Sequence, residues 1–275
     1  MRDIDSGWDA RLFLRFAPQG ERTILTENRH AGPLRVQRPF YPEACGRAHT
    51  YLLHPPGGFV GGDRQTLLVH CEADSRVLLT TPAAAKCYKS LGPIVYQDQT
   101  LLVGKGASLE WLPQETIVFD EARFANSVRV ELHPDAAFLG WDIVCFGRPA
   151  GGQLFRTGFF DQRLSLWRAG RPLWIEHAAY EGGGALLRGA FGLGGHTVSG
   201  TFICTHIDQP LVERLRAEAA VGPELLSVTR NGDILIARYL GDSAQVARET
   251  LSRLWHIIRR DRFGATAYEP RIWRT

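Results

Sequence analysis

Paired cysteines, long apolar runs and a strong excess of one charge are all missing from this 275-residue chain. Its five cysteines, Cys45, Cys71, Cys87, Cys145 and Cys204, are odd in number, widely spaced and free of any Cys-x-x-Cys pair. That usage fits reduced thiols, mostly acting as small buried hydrophobes, better than a disulfide framework or a structural zinc site. No run approaches the roughly 20 apolar residues of a membrane span. The opening Met1-Arg2-Asp3-Ile4-Asp5 is too acidic for a secretory signal and lacks its apolar core. The expectation is a cytoplasmic protein with no membrane contact. The 32 basic and 29 acidic residues leave a net charge of +3, too small and dispersed for a phosphate-tracking surface, so nucleic acid is not expected as a partner. Methionine occurs only as Met1 and lysine only as Lys86, Lys89 and Lys105, a bias without functional content.

Local catalytic signatures are equally scarce. No Gly-x-Ser-x-Gly elbow and no His-Glu-x-x-His helix occurs. Val103-Gly104-Lys105-Gly106 has Gln99 where a phosphate loop needs its first glycine and Gly106 where it needs a Mg2+-binding hydroxyl, so it reads as a turn. The glycines between Gly182 and Gly195 contain no Gly-x-Gly-x-x-Gly fingerprint. Cys45, His49 and His54 could share a metal only if their loop folded back, and adjacent His70 and Cys71 would lie on opposite faces of a strand. No tightly bound metal or cofactor is expected.

What is present is alternation. With 44% hydrophobic, 10% aromatic and 22% charged residues, the composition is that of one globular domain, taken as residues 1–275. Trp8, Ala10, Leu12, Leu14 and Phe16 share one face of an extended segment, with Asp9, Arg11 and Arg15 on the other. Further strands are expected over residues 34–40, 66–71, 76–81, 94–103, 108–112 and 128–132. Hairpins are expected around Ala169-Gly170-Arg171-Pro172 and Asn231-Gly232. Helical period shows only over residues 209–221 and 242 to about 260, the second with Val246, Thr250, Leu254, Ile257 and Ile258 on one stripe. Asp242 with Gln245 suggests its capping box and Gly264 its stop, while its arginine-rich polar face reads as solvated. The fold class is therefore mainly β, with two α-helices near the C-terminus.

Three constellations stand out. His54-Pro55-Pro56-Gly57-Gly58-Phe59-Val60-Gly61-Gly62-Asp63 combines restricted and permissive backbone and must form a specific tight loop, closed or charged by Asp63. Thr80 to Ser90, with Thr81, Pro82, Lys86 and Tyr88, packs small residues beside a lysine and a tyrosine that would share one face if extended. Leu112 to Asp120, with Pro113, Gln114 and Glu115, sets Glu115 and Asp120 on opposite faces, which disfavours paired acid-base catalysis.

Together with the ending Pro270-Arg271-Ile272-Trp273, these segments in this order resemble the urease accessory protein UreD family, also called UreH. The resemblance spans nearly the whole chain. It implies a two-layered, partly β-helix-like fold and a non-enzymatic maturation factor. Such a factor docks on apo-urease, binds UreF directly and the GTPase UreG through UreF, in an accessory assembly that can be dimeric. It also implies transient Ni2+ carried through an internal passage. Asp63 and Glu115 are carried over as passage carboxylates because they sit inside matching motifs, and Asp142 and Glu176 are added as carboxylates in apolar strand-like contexts. Dispersed carboxylates lower the cost of a cation in a low-dielectric interior, whereas a His and Cys cage would trap it. Competing readings are an all-β hydrolase using Asp63 and Glu115 as acid and base, with Lys86 or Tyr88 positioning substrate, and a binding module of unknown partner.

Overall fold

The computed structural model describes residues 7–221, 225–263 and 266–274. One sheet holds β1 (Asp9–Gln19), β2 (Arg22–Ala31), β5 (Arg64–Cys71), β8 (Val95–Val103), β11 (Arg123–Leu132), β14 (Phe159–Arg168) and β15 (Arg171–Glu181). Its spatial order is β15, β14, β11, β8, β5, β1, β2. The facing sheet holds β3 (Arg35–Val36), β4 (Ala48–Leu53), β6 (Arg76–Thr80), β9 (Ser108–Leu112), β12 (Ala137–Arg148), β16 (Val198–Thr205), β17 (Leu225–Asn231) and β18 (Ile234–Gly241). The short strands β7 (Ala85–Cys87), β10 (Thr116–Val118) and β13 (Gln153–Leu154) join it at a corner.

The chain reaches this arrangement by winding. From β1 through β5, β8 and β11 to β14 the first sheet is parallel, and β4, β6, β9 and β12 are parallel in the second. Each coil contributes a strand to the first sheet, one to the second and a short one at the corner: β5, β6, β7, then β8, β9, β10. The long β12 then runs through both positions, pairing with β9 by its first half and β10 by its second. A parallel sheet is usually covered on both faces, but the outer face of the first sheet is open to water, with β5, β8 and β11 alternating buried and half-exposed or exposed residues. Here one apolar cluster, including Leu14, Phe16, Val69, Val77, Leu79 and Val130, fills the space between the sheets. A second lies between the second sheet's outer face and the helices α2 (Gln209–Val221) and α3 (Ala244–Phe263), and a third, rich in phenylalanine, fills the corner. The expected two-layered, mainly β architecture is the observed one, and a single-turn helix α1 (Ala185–Arg188) is added within the glycine-rich segment.

Several expectations need correction. Residues 34–40 form no full strand: Arg35–Val36 pair with β4 and Phe40 makes one bridge to His49, since Pro39 has no N–H to extend the ladder. Helix α3 is capped by Ser243, whose hydroxyl accepts from Val246 N at 3.3 Å. Asp242 instead accepts from Thr197 N and Oγ1 and from His196, tying the start of β16. Gly264, the expected stop, lies outside the described residues. The arginine-rich face of α3 is not wholly solvated, because Arg259 is 1% exposed and paired with Glu110 and Glu43. Among the described residues no helix is long and apolar enough to cross a membrane.

Candidate functional site

The three sequence constellations follow β4, β6 and β9, so they turn the same corner in successive coils and stack. Phe59 bridges Cys87, Lys86 pairs with Ile117, and Ile117 pairs with Cys145 of β12. The glycines let this stacking close. A Cβ on Gly58 would collide with the Tyr88 ring and sit 2.8 Å from the Lys86 carbonyl oxygen, and Gly62 adopts φ +90°. The fourth motif secures the corner from outside: Trp273 Nε1 donates to Thr80 Oγ1 at 2.8 Å, and that hydroxyl donates to the Leu112 carbonyl at 2.6 Å.

Inside the corner, strand alternation and register build a polar shelf. Gln65, Gln97, Asn126 and Gln162 occupy one level of β5, β8, β11 and β14, all buried and all pointing between the sheets. Gln97 Nε2 donates to Gln65 Oε1 at 2.7 Å and Gln99 Nε2 to Asn126 Oδ1 at 3.0 Å. On one side of the shelf Phe59, Phe124 and Phe160 stack with centroids 5.7 and 5.5 Å apart; on the other lies the aliphatic core. Gln65, Gln97, Gln99 and Asn126 line a cavity of about 180 Å3, together with His54, Gly57, Gly58, Thr81 to Lys86, Gln114 and Asp142. A volume of that size holds several waters, one water needing about 10–15 Å3.

A second, more open cavity of about 460 Å3 is lined by Gln162, Glu176, Tyr180, Thr201, Arg238 and again Asp142. Among the described residues Asp142 alone lies on both walls. Its neighbours Trp141 and Ile143 on β12 face the helices, so alternation turns the carboxylate inward. Burial pushes its pKa up to about 6, with the nearby Glu176 charge adding to the rise and a 2.6 Å hydrogen bond from Gln162 Nε2 opposing it. Glu176 accepts two bonds from Arg238, at 3.0 and 2.8 Å. Burial lowers the His54 pKa against a weaker pull from Asp63, and the ring stacks on Phe59 at 4.7 Å.

The four candidate carboxylates thus divide. Asp142 and Glu176 line the cavities, whereas Asp63 and Glu115 line neither. Asp63 accepts from Trp8 N at 2.8 Å through one oxygen and from Val60 N at 2.9 Å through the other, closing its own loop. Glu115 faces Arg248 of α3 at 3.8 Å, and Asp120 accepts four N–H and O–H donors from residues 121, 156 and 157. No acid-base pair of Asp63 and Glu115 is formed, and Lys86 and Tyr88 line separate hollows. Pro55 and Pro56 lie exposed on the loop, Gly61 packs on Ser90, and Pro82 and Pro113 line the first cavity, Pro113 accepting from Trp141 Nε1 at 2.8 Å. Cys45 and His49 gather around Glu43, remote from the site of His54. Among the described residues no group of three or more His, Cys, Asp or Glu side chains is arranged to hold a metal ion.

Comparison with known proteins decides the family. A family model described as UreD urease accessory protein matches residues 9–274. The chain belongs to the UreD family. Its relatives include a urease accessory protein UreD of Dechloromonas aromatica (strain RCB), 44% identical over 273 residues, spanning 98% of this chain and 95% of that one. The UreD of Pseudomonas entomophila (strain L48) is 41% identical over 271 residues, with 98% and 96% coverage, and the UreD 2 of Brucella anthropi is 39% identical over 274 residues, with 99% and 100% coverage. Membership in the UreD family carries a role in urease maturation. Sequence reasoning about this UreD chain missed the amide shelf, Tyr180 and Arg238. The shelf had a signal: Gln65, Gln97, Gln99, Asn126 and Gln162 each continue, at period two, the apolar face of their strand.

Proposed function

We propose that this chain is a non-enzymatic scaffold of urease maturation, working in the cytoplasm. It docks on apo-urease, binds UreF directly and UreG through UreF, and conducts Ni2+ through its interior to the urease active site. The observation that carries the nickel route is Asp142, a carboxylate on the wall of both cavities. A conduit must admit a cation yet release it. Amide oxygens and two separated carboxylates, each hydrogen-bonded to a neighbour, supply hard oxygen donors without the His and Cys cage that would hold Ni2+ fast. Nickel is here cargo, and no residue is assigned to a bond-making step. Asp63 and Glu115 serve by shaping the corner that forms the first cavity's mouth.

The test is deletion of this gene alone in a host carrying urease and the other accessory factors. The reading predicts urease subunits present but nickel-poor, and copurification of the restored chain with apo-urease and UreF. Full nickel content without copurification would reject it.

A further inference from the structure

The outer cavity opens between the last strands of the two sheets, β15 on one side and β17 and β18 on the other. Neither ladder closes that seam, because β15 and β17 are edge strands. At the cavity the seam is spanned by Arg238 of β18, which donates through Nη1 and Nη2 to the two oxygens of Glu176 of β15, while Arg168 pairs with Asp233 where the β14–β15 and β17–β18 turns meet. The same guanidinium lies 5.7 Å from the centroid of the Trp174 ring, also on β15. Inward of this clasp the wall continues through Tyr180 to Asp142, so Glu176 is the first carboxylate a cation entering here would meet.

Two properties make the clasp suited to opening. The Arg238 side chain is 46% exposed and that of Glu176 18%, so water and salt reach the guanidinium and can take up its two hydrogen bonds as it leaves. A released guanidinium at the rim returns to solvent, whereas the carboxylate remains in the wall. Arginine also keeps its charge at every physiological pH, so competition for Glu176 is set by the incoming ion's charge and not by acidity.

We propose that Arg238 is the gate of the outer mouth: a divalent cation enters or leaves by displacing its guanidinium from Glu176. This rests on the reading of the interior as a nickel route. A monovalent cation carries no more charge than the guanidinium and loses its two-point hydrogen bonding, so the gate favours divalent ions.

The experiment measures Ni2+ binding by equilibrium dialysis to the full chain copurified with its partners, comparing wild type, Arg238→Gln, Arg238→Lys, Glu176→Gln and the Arg238→Gln/Glu176→Gln double variant. Arg238→Gln is expected to tighten Ni2+ binding about fivefold, the size of a lost exposed competitor. Arg238→Lys should fall between, and the gain should vanish when Glu176 is Gln. Unchanged binding in Arg238→Gln, or a gain that persists without Glu176, overturns the gate. So does a loss of thermal stability alone, which would make the pair only a sheet clasp. Urease nickel content in the Glu176→Gln strain judges the route separately: wild-type loading there counts against the route, while dialysis still decides the competition.

Discussion

The amide of Gln162, on the first sheet, donates to the carboxylate of Asp142, on the second, at 2.6 Å. This bond crosses the interior where the two cavities meet, and it leaves Asp142 buried beside Glu176 with a pKa of about 6. A carboxyl whose folded pKa is raised binds its proton more tightly in the native state. Its contribution to stability is full below the unfolded pKa near 4 and is lost as pH rises through about 6. Asp142→Asn, which cannot ionise, should therefore gain on the wild type by up to about 3 kcal/mol between pH 4 and pH 7, at about 1.4 kcal/mol per unit. Urea unfolding at the two pH values reads this, and a constant difference would contradict the burial.

A buried ion network ties α3 to the second sheet. Arg259 Nη1 lies 3.1 Å from Glu110, its other nitrogen pairs with Glu43, and Arg47 lies 3.4 Å from Glu110. Arg259→Ala leaves two buried carboxylates short of a partner and should cost about 3–5 kcal/mol, read as a lower urea midpoint.

Within that network burial pushes the Glu43 pKa up, but the His49 hydrogen bond and the charges of Arg259 and Arg47 outweigh it and bring it to about 2. The sign is opposite to that of Asp142. Stability from Glu43 is present above about pH 4.5 and is lost as pH falls through about 2. Glu43→Gln should flatten the acid limb of the stability profile in that window. An unchanged limb would show that the network does not hold this carboxyl ionised.

Gly58 faces the Tyr88 ring and the Lys86 carbonyl with no room for a Cβ. Gly58→Ala should push the first corner loop off β7 and cost about 1–3 kcal/mol. Thermal unfolding tests it. Gly57→Ala offers the contrast, because nothing lies within 4 Å of its Cβ and the penalty there is confined to its φ of +79°.

Trp273 packs its ring against Trp141 and Trp255, with centroids 5.7 and 5.8 Å away, and donates to Thr80. Trp273→Phe keeps one aromatic ring but removes the donor and part of the ring packing, so it should cost about 1–3 kcal/mol, less than Trp273→Ala. A Phe variant as stable as wild type in thermal unfolding would show that this contact does not hold the corner.

Strands with one face to the core were legible because alternation is a local signal: β1 and β5 could be read from apolar residues at every second position, Ala10 to Phe16 and Leu67 to Cys71. The coil that stacks them was not, since the pairing of Gln65 with Gln97 and then Asn126 depends on corners between strands. The same limit explains the site. Asp63 stands in a conspicuous loop, yet its geometry is spent on Trp8 N and Val60 N. Asp142 stands in an unremarkable apolar strand, yet β12 runs through the corner and turns it inward. Of the conspicuous loop, Gly57 and Gly58 line the first cavity, while Gly61 packs on Ser90 and Asp63 closes the loop beside it. Arg238 was invisible for another reason: only closure of the two sheets brings it to Glu176, 62 positions away.

The most direct test of the interior route is the nickel content of urease matured at limiting Ni2+ with Asp142→Asn or Asp142→Glu, with copurification of apo-urease measured alongside. The account predicts undiminished copurification, nickel content reduced about tenfold or more by Asn through loss of the charge on the wall that the two cavities share, and recovery with Glu. Wild-type nickel content in Asp142→Asn would contradict it.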